Sequence, residues 1–150
     1  MRHWPAHRRC KAPHIQAQLA RKGFIIAGLV NIVGILIITR GMSSPTLAAA
    51  DPAVFSQFGI IIIMLWGLAY IGTASFAHSA ILLPAAFALE KLAYTVNWLC
   101  WISAHSDELP GLLEQDRLGG IFLAAYGIND GLFGLFFAAV ALGNWLRRKQ

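Results

Sequence analysis

Residues 55–89 read FSQFGIIIIMLWGLAYIGTASFAHSAILLPAAFAL, 35 consecutive positions without Asp, Glu, Lys or Arg. The apolar character continues past Glu90 and Lys91 to Ala104. As a single helix, Phe55–Ala104 would be about 75 Å long at ~1.5 Å per residue, more than twice a ~30 Å hydrocarbon core. Two passes joined by a tight turn fit instead. The only punctuation is Thr73–Ser75, His78–Ser79 and Pro84, which sets spans at about 55–76 and 81–103. Pro84 then falls in the first turn of the later span, where a missing N–H does least harm.

Two further apolar runs flank this pair. Gly23–Thr39 is uncharged and bracketed by Arg21, Lys22 and Arg40, and Ile121–Leu146 is ended by Arg147, Arg148 and Lys149. Asp51–Pro52 has the pattern of an N-cap followed by proline at the first helical position. The link 106–120 carries Pro110–Gly111 and four acids, with Leu109, Leu112 and Leu113 spaced for a short amphipathic turn. The expected fold is all-α, an integral membrane, antiparallel four-helix transmembrane bundle with both termini cytoplasmic. It divides into a basic N-terminal segment (1–22), one four-span domain (23–146; spans about 23–39, 55–76, 81–103 and 121–146) and a basic tail (147–150). Composition agrees: of 150 residues, 57% are hydrophobic and 13% charged, and the mean hydropathy is +0.60. A soluble domain carries about 25% charge. Too few polar side chains remain here to cover a globule.

Charge asymmetry sets the orientation. Residues 1–22 hold six Lys/Arg and residues 147–150 hold three, while 40–54 and 104–120 hold only Arg40 and Arg117. The positive-inside rule places both ends in the cytoplasm, in what is expected to be a bacterial cytoplasmic (inner) membrane. Asp51, Asp107, Glu108, Glu114 and Asp116 then face outward. The net charge of +5 comes from juxtamembrane cations that orient the chain and attract anionic lipid, so the partner implied is the bilayer and not nucleic acid. Ala48–Ala50 resembles a signal-peptidase site and Arg8–Arg9 a twin-arginine signal. The apolar run is longer than a usual h-region of ~7–15 residues and ends well upstream of the alanines, so an uncleaved chain is expected.

The informative residues are those a bilayer should exclude. Glu90 and Lys91 interrupt the third span, Asn129 and Asp130 the fourth, and Asn31 the first. An ionisable group at the bilayer centre costs about 2.5–3.5 kcal/mol on insertion scales, so each must be paired, neutral or beside water. At ~1.5 Å per residue, Glu90 and Asn31 lie roughly 12–13 Å from the inner face and Asp130 about 17 Å, near enough to one level for contact. Glu90, Tyr94, Asn97 and Trp101 follow at i, i+4, i+7 and i+11 on one helix face, extended by His105. Tyr126, Asn129 or Asp130, Phe133 and Phe137 line a face of the last span. Gly127, Gly131 and Gly134 beside it are the expected close-packing positions. Lys91 is about 100° round from Glu90. Lys91 is therefore read as reaching Asp130 while Glu90 faces Asn31 or Tyr70, or else as snorkelling along its stem to the cytoplasm. Two acids and one base leave a charge unmatched, which makes a proton-binding site if one acid carries its proton.

No sequence motif implies a cofactor. There is no Gly-rich phosphate loop, His-Glu-x-x-His or Ser nucleophile elbow, and catalytic residues are not identifiable. His3, His7, Cys10 and His14 have no standard zinc spacing, and His78 and His105 fall at opposite faces. Cys10 and Cys100 form no Cys-x-x-Cys pair. Trp4, Trp98, Trp101 and Trp145 read as interfacial anchors and Trp66 as packing. Three activities remain. The leading expectation is a non-enzymatic structural or accessory subunit, a homo-oligomer or part of a larger membrane complex, in which the polar cluster holds helices in register. The alternatives are a proton- or ion-coupled transporter acting as an oligomer, and a quinone- or lipid-binding protein or enzyme with Tyr94, Trp98 and Trp101 as an aromatic pocket.

Overall fold

The computed structural model describes residues 12–149, with side chains from Gln16 onward. His3, Trp4, His7, Arg8–Arg9 and Cys10, in the first half of the basic N-terminal segment, lie outside the described residues. All regular elements among the described residues are helical. Helix α1 (Ala12–Leu29) runs through a π-helical turn (Val30–Gly34) into α2 (Ile35–Ile38). Two short helices follow, α3 (Pro45–Ala50) and α4 (Pro52–Phe55), and then α5 (Gln57–Thr73), α6 (Leu82–His105), α7 (Leu109–Gln115) and α8 (Arg117–Arg148).

The starts are written in the sequence. Ser44, Asp51, Ser56 and Asp116 each cap a helix by accepting the backbone N–H three residues on. Pro45 and Pro52 occupy first helical positions, where an N–H would be unsatisfied. The end of α2 is made differently. Arg40, Gly41 and Met42 take φ of 53°, 69° and 68°, a left-handed run that suits glycine and strains its two neighbours. Thr39 holds it: its hydroxyl donates to Ile35 O (2.7 Å) and accepts from Met42 N–H (3.1 Å). Across the same end, Arg40 pairs with Asp116 at 3.0 Å.

Two stretches, Gln16–Ile38 and Arg117–Arg148, are long and apolar enough to cross a membrane. The first run begins before Gly23, because the basic residues Arg21 and Lys22 are themselves helical. The last begins at Arg117 and not 121, because Asp116 caps it there. Helix α5 stops at Thr73, short of residue 76, and at 17 residues is the shortest of the long elements. Helix α6 carries Glu90 and Lys91 in its interior.

Helices α6 and α8 pack antiparallel along their length. Lys91 lies against Gly134, Thr95 against Gly131 and Trp98 against Gly127. The α1–α5 crossing is equally close: a Cβ on Gly28 would lie 2.6 Å from Gly67 O, and one on Gly67 2.9 Å from Gly28 O. Two apolar clusters form the interior. One gathers Ile35, Phe55, Ile63, Trp101 and Leu123, the other Phe24, Tyr70, Phe87 and Phe137. On every long helix a polar residue or a helix turn separates the two. The outward faces are apolar as well: Leu65, Leu68, Leu89, Leu92, Leu132 and Leu135 are each more than half exposed (53–71%). At one end Asn144 donates to the carbonyls of Ala77 and Ala80, and Arg147 and Arg148 reach those of His78 and Ser79.

The glycines expected at the α6–α8 contact are not equivalent. The Trp98 ring already fills the space a Gly127 side chain would need, and Lys91 Cβ is 3.3 Å from a Gly134 Cβ. Gly131 has only ordinary contact, with Thr95 at 3.8 Å. Gly127→Ala is therefore expected to destabilise by about 1–3 kcal/mol through overpacking. Gly134→Ala should cost less, and Gly131→Ala should match Gly143→Ala, which meets open space. Reversible unfolding in mixed micelles measures the series; equal losses at all four positions would contradict this packing.

Candidate functional site

Four elements meet at Lys91. Its ammonium donates to Asp130 Oδ1 on α8 at 2.6 Å and to Asn31 Oδ1 in the π-helical turn at 3.1 Å. Asn31 in turn donates to Ile63 O on α5 at 3.2 Å. Lys91 itself belongs to α6, so a single side chain ties the four together. The π-helical turn serves this directly. The Ile35 N–H reaches back to Val30 O, and the extra residue in the turn accommodates Asn31 on the buried face. Snorkelling is overturned: the Lys91 side chain is 3% exposed and committed to Asp130. Asp130 balances the Lys91 charge at hydrogen-bond range, which outweighs a long reach toward water.

Glu90 points elsewhere, as one residue's rotation on a helix requires. Its Oε2 accepts from the Tyr70 hydroxyl on α5. Its Oε1 is buried without a hydrogen-bond partner and lies 4.0 Å from the Lys91 ammonium, beyond bonding range. The Glu90 side chain is 6% exposed. An unsatisfied buried carboxylate oxygen is expensive, so its presence asks for an explanation.

A cavity of about 360 Å³ lies beside the cluster. Glu90, Lys91, Asp130, Asn31, Tyr94 and Asn129 contribute to its wall, and the remaining lining is apolar or aromatic apart from the Tyr126 hydroxyl. Val30 and Ile121, which also line it, are 36% and 53% exposed. The chamber therefore opens sideways through the apolar exterior, between the first helix and α8. Its volume falls within the ~300–1,000 Å³ of small-molecule sites.

The polar stripe on α6 does not stay together. Tyr94 is beside the cluster, with the Lys91 ammonium 5.8 Å from its ring centroid. Asn97, one turn on, belongs to a different group: it donates to Asp51 Oδ2 (3.0 Å) and to the Tyr126 hydroxyl (3.4 Å). Tyr126 also donates to Asp51 Oδ2 at 3.2 Å, and Trp101 Nε1 donates to Ala50 O at 2.8 Å. Asn129 lines the cavity but does not bond Lys91. Trp98 is a packing residue as much as an anchor, since its indole N–H donates to Leu123 O at 2.9 Å.

The sequence reading assigned Asp51 to a cap in an outer loop and missed its second use. A cap occupies one carboxylate oxygen; the other is free to take the α6 and α8 donors, and the residue is buried. Asn144 was also missed. The signal was available in its spacing, because Asp130, Phe137, Ala141 and Asn144 share the buried face of α8. No family model, characterised protein or solved structure matches the chain.

The geometry makes Lys91 and Asp130 interdependent. Lys91→Met strands Asp130 and Asn31, and a loss of about 3–5 kcal/mol is expected from an uncompensated buried charge. The double variant Lys91→Met/Asp130→Leu removes both charges at similar volume and is expected to recover most of that loss. Unfolding titrations of the single and double variants check this; additive losses would show that the pair is not coupled.

Proposed function

We propose that the chain is an integral membrane protein, an antiparallel four-helix transmembrane bundle with both termini on the cytoplasmic side, whose lateral cavity binds a lipid-soluble small molecule. The inside-out distribution of polarity supports the membrane reading. The long helices present leucine and isoleucine outward, while Lys91, Asp130, Asn31 and Asn144 are buried. A soluble protein distributes these residues the other way. The lysines and arginines of residues 1–22 and 147–149 support the orientation.

One observation carries the ligand reading: a chamber that opens through the apolar exterior is walled by two acids, Asp130, whose side chain is 11% open, and Glu90, whose Oε1 is unpartnered just behind the wall. Asp116 Oδ2 is likewise unpartnered at a helix cap, so it is the conjunction of surplus acid and open chamber at Glu90 that favours a ligand over helix register alone. The accessory-subunit reading keeps its own support in the Lys91–Asp130–Asn31 contacts, which join four elements without involving Glu90. The two roles meet at Asp130, whose Oδ1 holds Lys91 and which also lines the cavity. Lys91, Asp130 and Asn31 maintain the architecture, and Glu90 with the cavity wall serves the ligand. Proton or ion carriage, the transporter reading, would act through the same carboxylate.

A diazirine-bearing fatty alcohol photolysed in proteoliposomes tests the cavity. Adducts are expected to concentrate at Tyr94 and in 118–130, and to vanish there in Ala125→Trp, which fills the chamber from its lining. Labelling spread evenly over the exposed leucines and unchanged by Ala125→Trp would contradict the reading.

A further inference from the structure

The cavity's chemistry narrows the class of molecule it takes. We propose that the ligand is a lipophilic amine, a monocation whose N–H groups meet the carboxylates while its hydrocarbon or aromatic body lies along the apolar wall. This rests on the ligand-binding reading above and deepens it.

Charge is the first argument. Lys91 pairs with Asp130 at 2.6 Å and stands 4.0 Å from Glu90, so two acids share one base and the wall holds one acid more than it holds cations. A ligand carrying one positive charge brings the wall to neutrality, whereas an anion such as a fatty acid adds a third negative group. Hydrogen-bonding capacity is the second. The strongest donor in the wall, the Lys91 ammonium, is already engaged by Asn31 and Asp130. Glu90 Oε1 has no partner, and Asp130 gives only Oδ1 to Lys91, with 11% of its side-chain surface open. The wall's other donors, the Asn129 amide and the Tyr94 hydroxyl, are neutral, so a quinone or ester gains only ordinary hydrogen bonds there; an ammonium, with several N–H groups, makes charge-assisted ones to the acids.

The third argument is the aromatic lining. Tyr94, Phe55, Phe122 and Tyr126 all face the chamber. Phe55 packs edge-on against Phe122 and Tyr126 at centroid distances of 5.6 and 5.4 Å, and Phe122 stacks on Tyr126 at 5.6 Å. Aromatic faces attract cations, and desolvation strengthens the attraction. The protein already uses this at the same wall, where the Lys91 ammonium lies 5.6 and 5.8 Å from the Tyr70 and Tyr94 centroids. The mouth at Val30 and Ile121 is apolar and lateral, so a molecule dissolved among acyl chains reaches the site without crossing water.

Radiolabelled dodecylamine, dodecanol and dodecanoic acid, bound at pH 7 to the full chain in nanodiscs against empty nanodiscs, separate the possibilities. Saturable binding of dodecylamine is expected, at least tenfold tighter than dodecanol, with dodecanoic acid not saturating. Glu90→Gln is expected to bring the amine down to the alcohol. Ala125→Trp is expected to abolish saturable binding of both. Should Glu90→Gln fail to fold, the amine-to-alcohol ratio on the unaltered chain decides alone. Dodecanol or dodecanoic acid binding as tightly as the amine, with Ala125→Trp still blocking it, overturns the amine assignment and leaves the cavity reading intact. No saturable binding of any probe overturns both.

Discussion

A lysine ammonium buried between helices, beside the rings of Tyr70 and Tyr94, is the constraint on which the rest of this structure depends. Removing such a charge from water costs several kcal/mol even after relaxation, and Lys91 can be retained only if its partners reach it. Asp130 must come from α8 and Asn31 from the first helix, and Asn31 must in turn find Ile63 O on α5. Every long helix is thereby placed relative to the others. The close glycine contacts follow from the same demand: Gly134 and Gly127 let α8 approach α6 closely enough for a carboxylate to touch an ammonium. In the bilayer proposed for this chain, where apolar contact would be no better between helices than with lipid, directional polar contacts of this kind would select one arrangement.

Glu90 and Lys91 are neighbours in sequence and cannot point the same way on a helix. This local fact separates an architectural pair from a surplus acid. Lys91 turns toward α8 and the first helix; Glu90 turns toward Tyr70 and keeps one oxygen unmatched. Glu90 also ties α6 to α5 by satisfying the buried Tyr70 hydroxyl with one oxygen, while the other oxygen adds nothing to that contact. The ligand reading proposed above gives that residue a use, and in it the aromatic residues lining the cavity set the character of the molecule bound.

Much of the local structure was legible from residue types. The cap at Asp51, the prolines Pro52 and Pro84 in first turns and the short turn through Leu109–Leu113, which is helical, follow from local chemistry and occur where that chemistry puts them. The pairing of Lys91 with Asp130 follows from helical spacing and depth. Other features leave little trace in a sequence. A π-helical turn depends on what pulls Asn31 inward, which is Lys91, 60 residues away. The contact of Gly28 with Gly67 joins two glycines that carry no mark of each other. Asp51 serves two groups at once, and spacing reveals only the cap. A cavity is an absence of side-chain volume between elements, and periodicity records faces, not gaps. The polar stripe on α6 was read as one unit because it shares a face; the α3–α4 segment, arriving beside Asn97 and Trp101, divides it.

Side-resolved cysteine labelling tests the membrane bundle most directly. In a Cys10→Ser/Cys100→Ser background, single cysteines at Ser79, Ser106, Leu89 and Leu132 are exposed to an impermeant maleimide in sealed vesicles of each orientation. The account predicts that Ser79→Cys reacts only from the cytoplasmic face and Ser106→Cys only from the opposite one. Leu89→Cys and Leu132→Cys, on outward faces at the level of Lys91 and Asp130, react from neither. Reaction of all four positions from a single side would contradict a bundle that spans the bilayer.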